Sequence, residues 1–547
     1  MPTSFVTTDS IGTGYRFTYS ANGEQLIVLA GATLGSTTTA AIQETFATSL
    51  TLSILGTVFG TRGLYLYGDE TAVSIAAGGM LYTSQPSPGE LGIYLAGTGS
   101  SLSNAGTISA PMTIGVLSSG HNMIVNTGRI DAASGVFMNL YSSTGDSFVN
   151  SGIVTANAAS DAANTTRYNN AVFSEGGNGR ITNLAEGELT AMSSDGAGVR
   201  LGSYGGGAVV RNFGQITSAQ DCGINLELVN AGQGLIRVVN DGTISGGEAS
   251  YAGSQNADLL LNRGLLAGDV TMGAGQDTLR NVGGTIDGAV QMGDGDDVLV
   301  NSGGQISGDV GLGAGADRYD GRSGALDGSV DGGDGDDTFI GNAQAAETFN
   351  GGAGLDLLDF RFGAAVTVAL DGTFANDGTA LGDSYISFEN VLGSQRGDVI
   401  RGSAGDNSLA GLGGADRIDG AAGNDAFTGG AGADTLTGGM GNDLFRFTVL
   451  SDCGDVITDF GAVTGNNDSF RIVASAFGGG LATGTLAGSA FLTRADNLAQ
   501  DADDRFIFRT TDTTLWFDAD GTGAGAAVLV ADLQAGATLT SADIMLI

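Results

Sequence analysis

GSQRGDVIR (393–401), GSAGDNSLA (402–410), GLGGADRID (411–419), GAAGNDAFT (420–428), GGAGADTLT (429–437) and GGMGNDLFR (438–446) follow one another without a break. Each unit opens with a glycine-rich turn and carries an apolar residue at its eighth place: Ile400, Leu409, Ile418, Phe427, Leu436 and Phe445. The sixth place holds Asp398, Asn407, Asp416, Asp425, Asp434 and Asp443. Nine residues make half a coil, so two units complete one turn of a parallel β-roll and units two apart stack on the same side. That places Asp398, Asp416 and Asp434 in one column and Asn407, Asp425 and Asp443 in another. Stacked strands lie ~4.8 Å apart. Carboxylates at about that spacing repel by ~1 kcal/mol per pair in water, and by more where solvent is excluded. Such columns call for cations between their rungs. Oxygen-only donors beside glycine carbonyls suit a hard ion, which points to Ca²⁺.

The stretch resembles the calcium-binding RTX (hemolysin-type) repeats of type I secreted proteins. Their consensus GGxGxDxUx is met most fully by the units with Gly429, Gly430, Gly432 and Asp434, and with Gly438, Gly439, Gly441 and Asp443. Asn407 departs from the acidic rule, and Arg396 and Leu412 stand where glycine is expected. The resemblance implies weaker or missing calcium sites at those turns.

A second repeat, with a period of twenty, runs from Asn262 to Gly341. Twenty residues hold three short strands, one rung of a right-handed parallel β-helix. Each rung ends in the same kind of acidic turn, so Asp277, Asp297, Asp317 and Asp337 fall in a column, with Asp294, Asp296, Asp334 and Asp336 beside it. Asp356, nineteen residues after Asp337, closes it. All five are expected as calcium ligands. Further back the acidic turn is gone, but N-x-G-x-(I/V) persists at Asn104, Asn126, Asn150, Asn212 and Asn240, with a diverged copy at Asn183. Asn at one corner of successive rungs can form an amide ladder. This pattern resembles that of β-helical bacterial surface and adhesin proteins.

The expected organisation is all-β. Residues 1–100 form an N-terminal β region or cap, 101–261 irregular β-helix rungs and 262–341 regular rungs with calcium-type turns. Residues 342–392 form a strand-rich connector, 393–446 the nonapeptide β-roll, and 447–547 a C-terminal cap. By resemblance to secreted RTX proteins, the tail Asp543-Ile-Met-Leu-Ile fits an uncleaved type I secretion signal, and the type I machinery is the expected export partner.

Composition narrows the function. A net charge of −38 excludes nucleic acid as a partner, which needs a basic face. No apolar run reaches the ~18 residues of a spanning helix, and the first residues lack the basic and apolar parts of a signal peptide. Cys222 and Cys453 are expected as unpaired thiols. Calcium sites of ~10⁻⁴–10⁻³ M affinity fill only outside the cell, so the expected location is extracellular or on the cell surface.

Catalytic signatures are missing. There is no HExxH and no GxSxG, the single histidine, His121, reads as structural, and no lysine exists. The Asp-Pro-His motif of alginate epimerases with RTX modules is also absent. Arg129, Arg180, Arg200 or Arg211 could serve a lyase, and Asp131, Asp146, Asp161, Asp195, Asp221 and Asp241 could supply paired carboxylates. Nothing in the sequence pairs them. Arg396-Gly397-Asp398 spells a cell-attachment tripeptide inside a roll turn, where Asp398 should face calcium. Asp518-Ala-Asp520-Gly521 fits a tight hairpin as well as a further ion site. The expectation is a secreted calcium-binding β-solenoid with a structural or adhesive role at the bacterial surface, its partners a second copy in a layer or fibre or a cell-surface glycan. The alternative is a calcium-dependent lyase, epimerase or glycoside hydrolase acting on polysaccharide.

Overall fold

The computed structural model describes residues 2–547 apart from 45–47, 62–63, 84–92, 96, 111–113, 118–120, 133–135, 140–144, 158–169, 175–177, 194, 203–206, 228, 233, 342–345 and 462–465. Strands account for 49 % of the chain and helices for 3 %, which fixes the class as all-β. The chain forms two compact units: Met1–Gly313 with Ser323–Gly328, and Ala314–Arg322 with Ser329–Ile547.

The first unit is a stack of three-strand rungs. A regular rung comprises Thr278–Val282, Thr285–Asp287 and Val290–Asp294. Each strand pairs in parallel with the same strand of the rung before: Leu279 with Leu260, Ile286 with Leu266, Val290 with Val270. Stacking like on like produces a continuous apolar interior, and all six of these residues are fully buried. Alternate residues point outward, so each strand needs only one or two apolar side chains.

Residues before 101 belong to the same stack. Thr3–Val6, Gln25–Val28, Thr51–Ile54, Ala72–Ile75 and Ser101–Asn104 pair in parallel, one after another. The N-x-G signal fails there for a simple reason. Asn104 lies opposite Ile75, Ile75 opposite Ile54 and Ile54 opposite Val28, so the inner corner is aliphatic where the later rungs carry an amide.

From Asn104 onward that corner is a ladder of carboxamides. Nδ2 of Asn104 donates to Oδ1 of Asn126 at 2.8 Å, and the relay continues through Asn150, Asn183, Asn212, Asn240, Asn262, Asn281 and Asn301 at 2.8–3.0 Å. Every member is at most 1 % exposed. A buried amide is costly unless bonded. Here each internal rung supplies the donor for the next and the acceptor for the last, so the ladder also fixes strand register.

In the second unit the rung narrows to two strands, as the nine-residue spacing predicts. Val399–Arg401, Arg417–Asp419 and Thr435–Thr437 pair in one sheet. Ser408–Gly413, Ala426–Ala431 and Leu444–Phe447 pair in the other. The eighth-place residues fill the space between, none more than 1 % exposed. Phe427 and Phe445 stack at 5.2 Å between centroids. Ahead of the roll, Tyr319, Phe339, Phe349, Phe360, Tyr385 and Phe388 form an aromatic core.

After the roll, Asp455–Ile457 extends one sheet and Ser469–Ile472 the other. The tail strand Ile544–Leu546 pairs in parallel with Phe470–Ile472. No helix among the described residues is long and apolar enough to cross a membrane. Cys222 and Cys453 are free thiols.

Candidate metal centre

The sixth-place residues stack as two columns in the roll, held by one recurring hydrogen bond. The backbone N–H of Asp398 donates to Oδ1 of Asp416, that of Asp416 to Asp434, and that of Asp434 to Asp455, at 2.8, 2.8 and 3.0 Å. Across the roll, Asn407 donates to Asp425, Asp425 to Asp443 and Asp443 to Asp468, at 2.7–2.9 Å. The twenty-residue turns use the same bond. In the first unit Asp258 donates to Asp277 and Asp277 to Asp297, both at 2.7 Å. In the second, Asp317 donates to Asp337 and Asp337 to Asp356, both at 2.8 Å.

One oxygen of each carboxylate is thereby used, and the other is the informative one. Asp277, Asp337, Asp356, Asp416, Asp425, Asp434 and Asp443 keep Oδ2 buried with no protein hydrogen-bond partner among the described residues. These residues are at most 2 % exposed. A buried unpaired carboxylate oxygen is expensive. Its recurrence at one place in repeat after repeat shows that the turns are built around something else.

The glycines clear the space. A Cβ at Gly411, Gly420, Gly429 or Gly438 would stand 2.0–2.4 Å from Oδ2 of Asp416, Asp425, Asp434 or Asp443. At Gly430 and Gly439 it would meet the carbonyl oxygens of Leu412 and Ala421 at 2.3 and 2.2 Å, and at Gly432 and Gly441 those of Gly414 and Gly423 at 1.5 and 1.8 Å. Each turn therefore brings carboxylate and carbonyl oxygens together with no side chain between them, an oxygen-rich donor set of the kind Ca²⁺ takes.

The charge state agrees. Burial, and then the neighbouring carboxylates, push Asp277 up to about 8 and Asp337, Asp416 and Asp425 up to about 7. Burial does the same to Asp443, to about 6, and raises Asp356 and Asp434. Without a cation these columns hold protons at a pH where exposed carboxylates have lost them.

Asp398 differs from the other expected ligands. Its Oδ1 accepts from the Val366 N–H and the Ser394 hydroxyl, and its Oδ2 from the Ser394 N–H. Within the Arg-Gly-Asp tripeptide Asp398 is buried, 1 % exposed, while Arg396 and Gly397 are exposed. Asn407 accepts from the N–H of Ser403 in the same way.

Four members of the columns escaped the sequence reading: Asp258, Glu389, Asp455 and Asp468. Glu389 accepts the N–H of Asp356 at 3.0 Å. Asp258 stands four residues before Asn262, as Asp277 does before Asn281 and Asp297 before Asn301, and that spacing was its signal. The other three lie outside any repeat.

Among the described residues, Asp221 lies with Cys222 and the exposed Glu248, their ligand atoms within 4.8 Å of one another, and three of the carboxylates considered for catalysis are ion-paired with arginine. Asp131 bonds Arg129, Asp221 bonds Arg200 and Asp241 bonds Arg263. Asp146 is 1 % exposed and accepts the N–H of Asn122. Asp161 lies outside the described residues. His121 is exposed. Asp520 accepts the N–H of Gly525 within its own hairpin.

Residues 329–346, 392–427 and 422–446 match the RTX calcium-binding nonapeptide repeat (4 copies). These segments are RTX repeats. With the parallel β-solenoid they support a calcium-binding β-roll, and Asp277, Asp297, Asp317 and Asp356 lie outside the matched residues. No curated protein matches the chain.

Proposed function

We propose that the protein is a secreted β-solenoid locked by calcium, with a structural or adhesive role at the bacterial surface. The observation that carries this reading is the row of buried Oδ2 atoms of Asp277, Asp337, Asp356, Asp416, Asp425, Asp434 and Asp443, with no protein hydrogen-bond partner among the described residues. The residues that would hold calcium are Asp277, Asp297, Asp317, Asp337, Asp356, Asp416, Asp425, Asp434 and Asp443, with carbonyl oxygens of the glycine turns. Bound calcium supplies the positive charge that lets stacked carboxylates stay ionised, and its binding energy becomes folding energy. In calcium-poor cytosol the roll stays loose and fits export through a type I channel. Outside, calcium closes it.

The distribution of polar groups supports a scaffold over a catalyst. Asp131, Asp221 and Asp241 are committed to arginine partners, and the Asn ladder spends its polar atoms on register. Circular dichroism of the full chain at pH 8 should lose much of its β signal in chelator and regain it cooperatively in millimolar Ca²⁺. An equally folded chelated form would overturn the reading.

A further inference from the structure

The second unit contains a cavity of about 150 Å³ lined by Arg322, Ile340, Asp359, Phe360, Phe362 and Thr379. We propose that it binds one carboxylated sugar ring, as an end or side branch of an acidic polysaccharide. This rests on the adhesive reading above and gives it a ligand class and a place.

Size sets the first limit. Cavities of about 150 Å³ hold a single six-membered ring, whereas drug-sized ligands take roughly 300–1,000 Å³. The lining then sets the chemistry. Phe362 follows the strand Leu357–Asp359 and is 63 % exposed, so it contributes little to the core and its ring is open to solvent. Two guanidinium groups attend it, Arg322 at 4.9 Å and Arg361 at 5.5 Å from the ring centroid.

Both arginines are held in place. Arg322 grips Asp320 through Nε and Nη2, each at 2.9 Å. Arg361 grips Asp359 through Nε at 2.9 Å and Nη2 at 2.8 Å. Asp359 is itself 1 % exposed, so this polar wall is built into the unit. These pairs leave Nη1 of each arginine with no acceptor among the described residues. An aromatic face flanked by fixed N–H edges suits a ring with an apolar C–H face and a carboxylate, because guanidinium is the preferred donor to a carboxylate. Arg318 and Arg322 both reach Asp320, and Arg361 reaches Asp359, so three guanidinium groups gather in one place in a chain of net charge −38.

The test uses the full chain in millimolar Ca²⁺ with tetragalacturonate as probe. Its methyl ester serves as control, keeping the rings and removing the charge. Calorimetry should show saturable binding of the acid, with the ester about ten-fold weaker or more. Phe362→Ala and Arg322→Gln should each weaken binding about ten-fold and leave the calcium response of the circular dichroism unchanged. Neither should unfold the unit, since Phe362 is exposed and Asp320 keeps Arg318 as a partner. No binding with a normal calcium response, or equal binding by the variants, would overturn the site. Equal binding of acid and ester would overturn its preference for a carboxylate. Loss of the calcium response in the unsubstituted chain would count against the calcium reading instead.

Discussion

The backbone N–H of Ser394 donates to Oδ2 of Asp398 at 2.6 Å, and the Ser394 hydroxyl donates to Oδ1 at 2.9 Å. Ser254 makes the same pair of bonds to Asp258, at 2.8 and 3.2 Å, and Ser403 reaches Asn407 at 2.7 and 3.2 Å. In the RTX consensus the place of Ser394 and Ser403 belongs to glycine. Where serine stands there, protein donors satisfy the side chain that a cation would serve further along the column. The expectation is that these turns start the ladders without metal. Ser394→Ala should therefore lower the urea midpoint of the calcium-loaded protein, reflecting a loss of about 1 kcal/mol or more of stability for the lost hydroxyl bond to a charged group. Calcium stoichiometry by equilibrium dialysis should stay the same. A drop of one ion per chain would instead make Asp398 a ligand.

Calcium-free stability should run opposite to ordinary acid denaturation. Burial first, then neighbouring charge, pushes Asp277 up to about 8 and Asp337, Asp416 and Asp425 up to about 7. In the unfolded chain these groups titrate near 3.9. The chelated fold therefore binds more protons than the unfolded chain between about pH 4 and pH 8, and its stability falls as pH rises through that window. With calcium the sign reverses, because the ion needs the deprotonated form. Scanning calorimetry in chelator should show the melting temperature climbing from pH 8 to pH 5, while the gain on adding calcium shrinks. Chelated protein that becomes more stable with rising pH would contradict the column arrangement.

The roll was legible in the sequence because each unit repeats a physical necessity at a fixed offset. Asp416 must meet Asp434, Gly429 must clear a carboxylate oxygen, and Phe427 must meet Phe445, so all three recur every nine or eighteen residues. The N-terminal rungs were harder to read because their pairing needs only an apolar inward residue. Val28, Ile54 and Ile75 satisfy that need without a distinctive motif, and their spacing varies with loop length. Asp455 and Asp468 were hidden for another reason. They close the columns from outside the repeat, where the register is carried by the sheet and no longer by the sequence period. The Phe362 cavity has no sequence signal, since Arg322 and Phe362 meet only through folding.

The amide ladder offers a test of how strongly one rung depends on the next. Nδ2 of Asn150 donates to Asn183 at 2.9 Å, and its Oδ1 accepts from Asn126 at 2.8 Å. Asn150→Ala takes the ladder donor from buried Asn183 Oδ1, at about 1–3 kcal/mol, and leaves Asn126 Nδ2 only its 3.3 Å bonds to the Gly128 and Ile153 carbonyls. Since rungs couple mainly to their neighbours, hydrogen exchange should quicken around Asn126, Asn150 and Asn183 and stay slow in the strands of the nonapeptide roll. Uniform acceleration along the whole chain would show that the solenoid unfolds as one cooperative body.

Asp131 and Asp221 separate a scaffold from an enzyme, because both carboxylates lie in the variable rungs yet differ in burial. The side chains of Asp221 and Arg200 are 8 % and 6 % exposed, and Asp221 also accepts the N–H of Cys222 at 2.6 Å. Asp221→Asn keeps the shape but leaves the Arg200 charge buried without its counterion, a loss of about 3–5 kcal/mol. The Arg129–Asp131 pair is open to solvent, with Arg129 50 % exposed, so Asp131→Asn should cost about 0–1 kcal/mol. If these residues serve the fold, the damage follows burial: urea unfolding should show a large shift for Asp221→Asn and almost none for Asp131→Asn. Neither the parent protein nor either variant should shorten tetragalacturonate or create unsaturated ends in it. Catalysis has a different signature, since proton transfer depends on one positioned group whatever its share in stability. Turnover in the parent that disappears in Asp131→Asn at unchanged stability would make Asp131 a chemical group and the solenoid an enzyme.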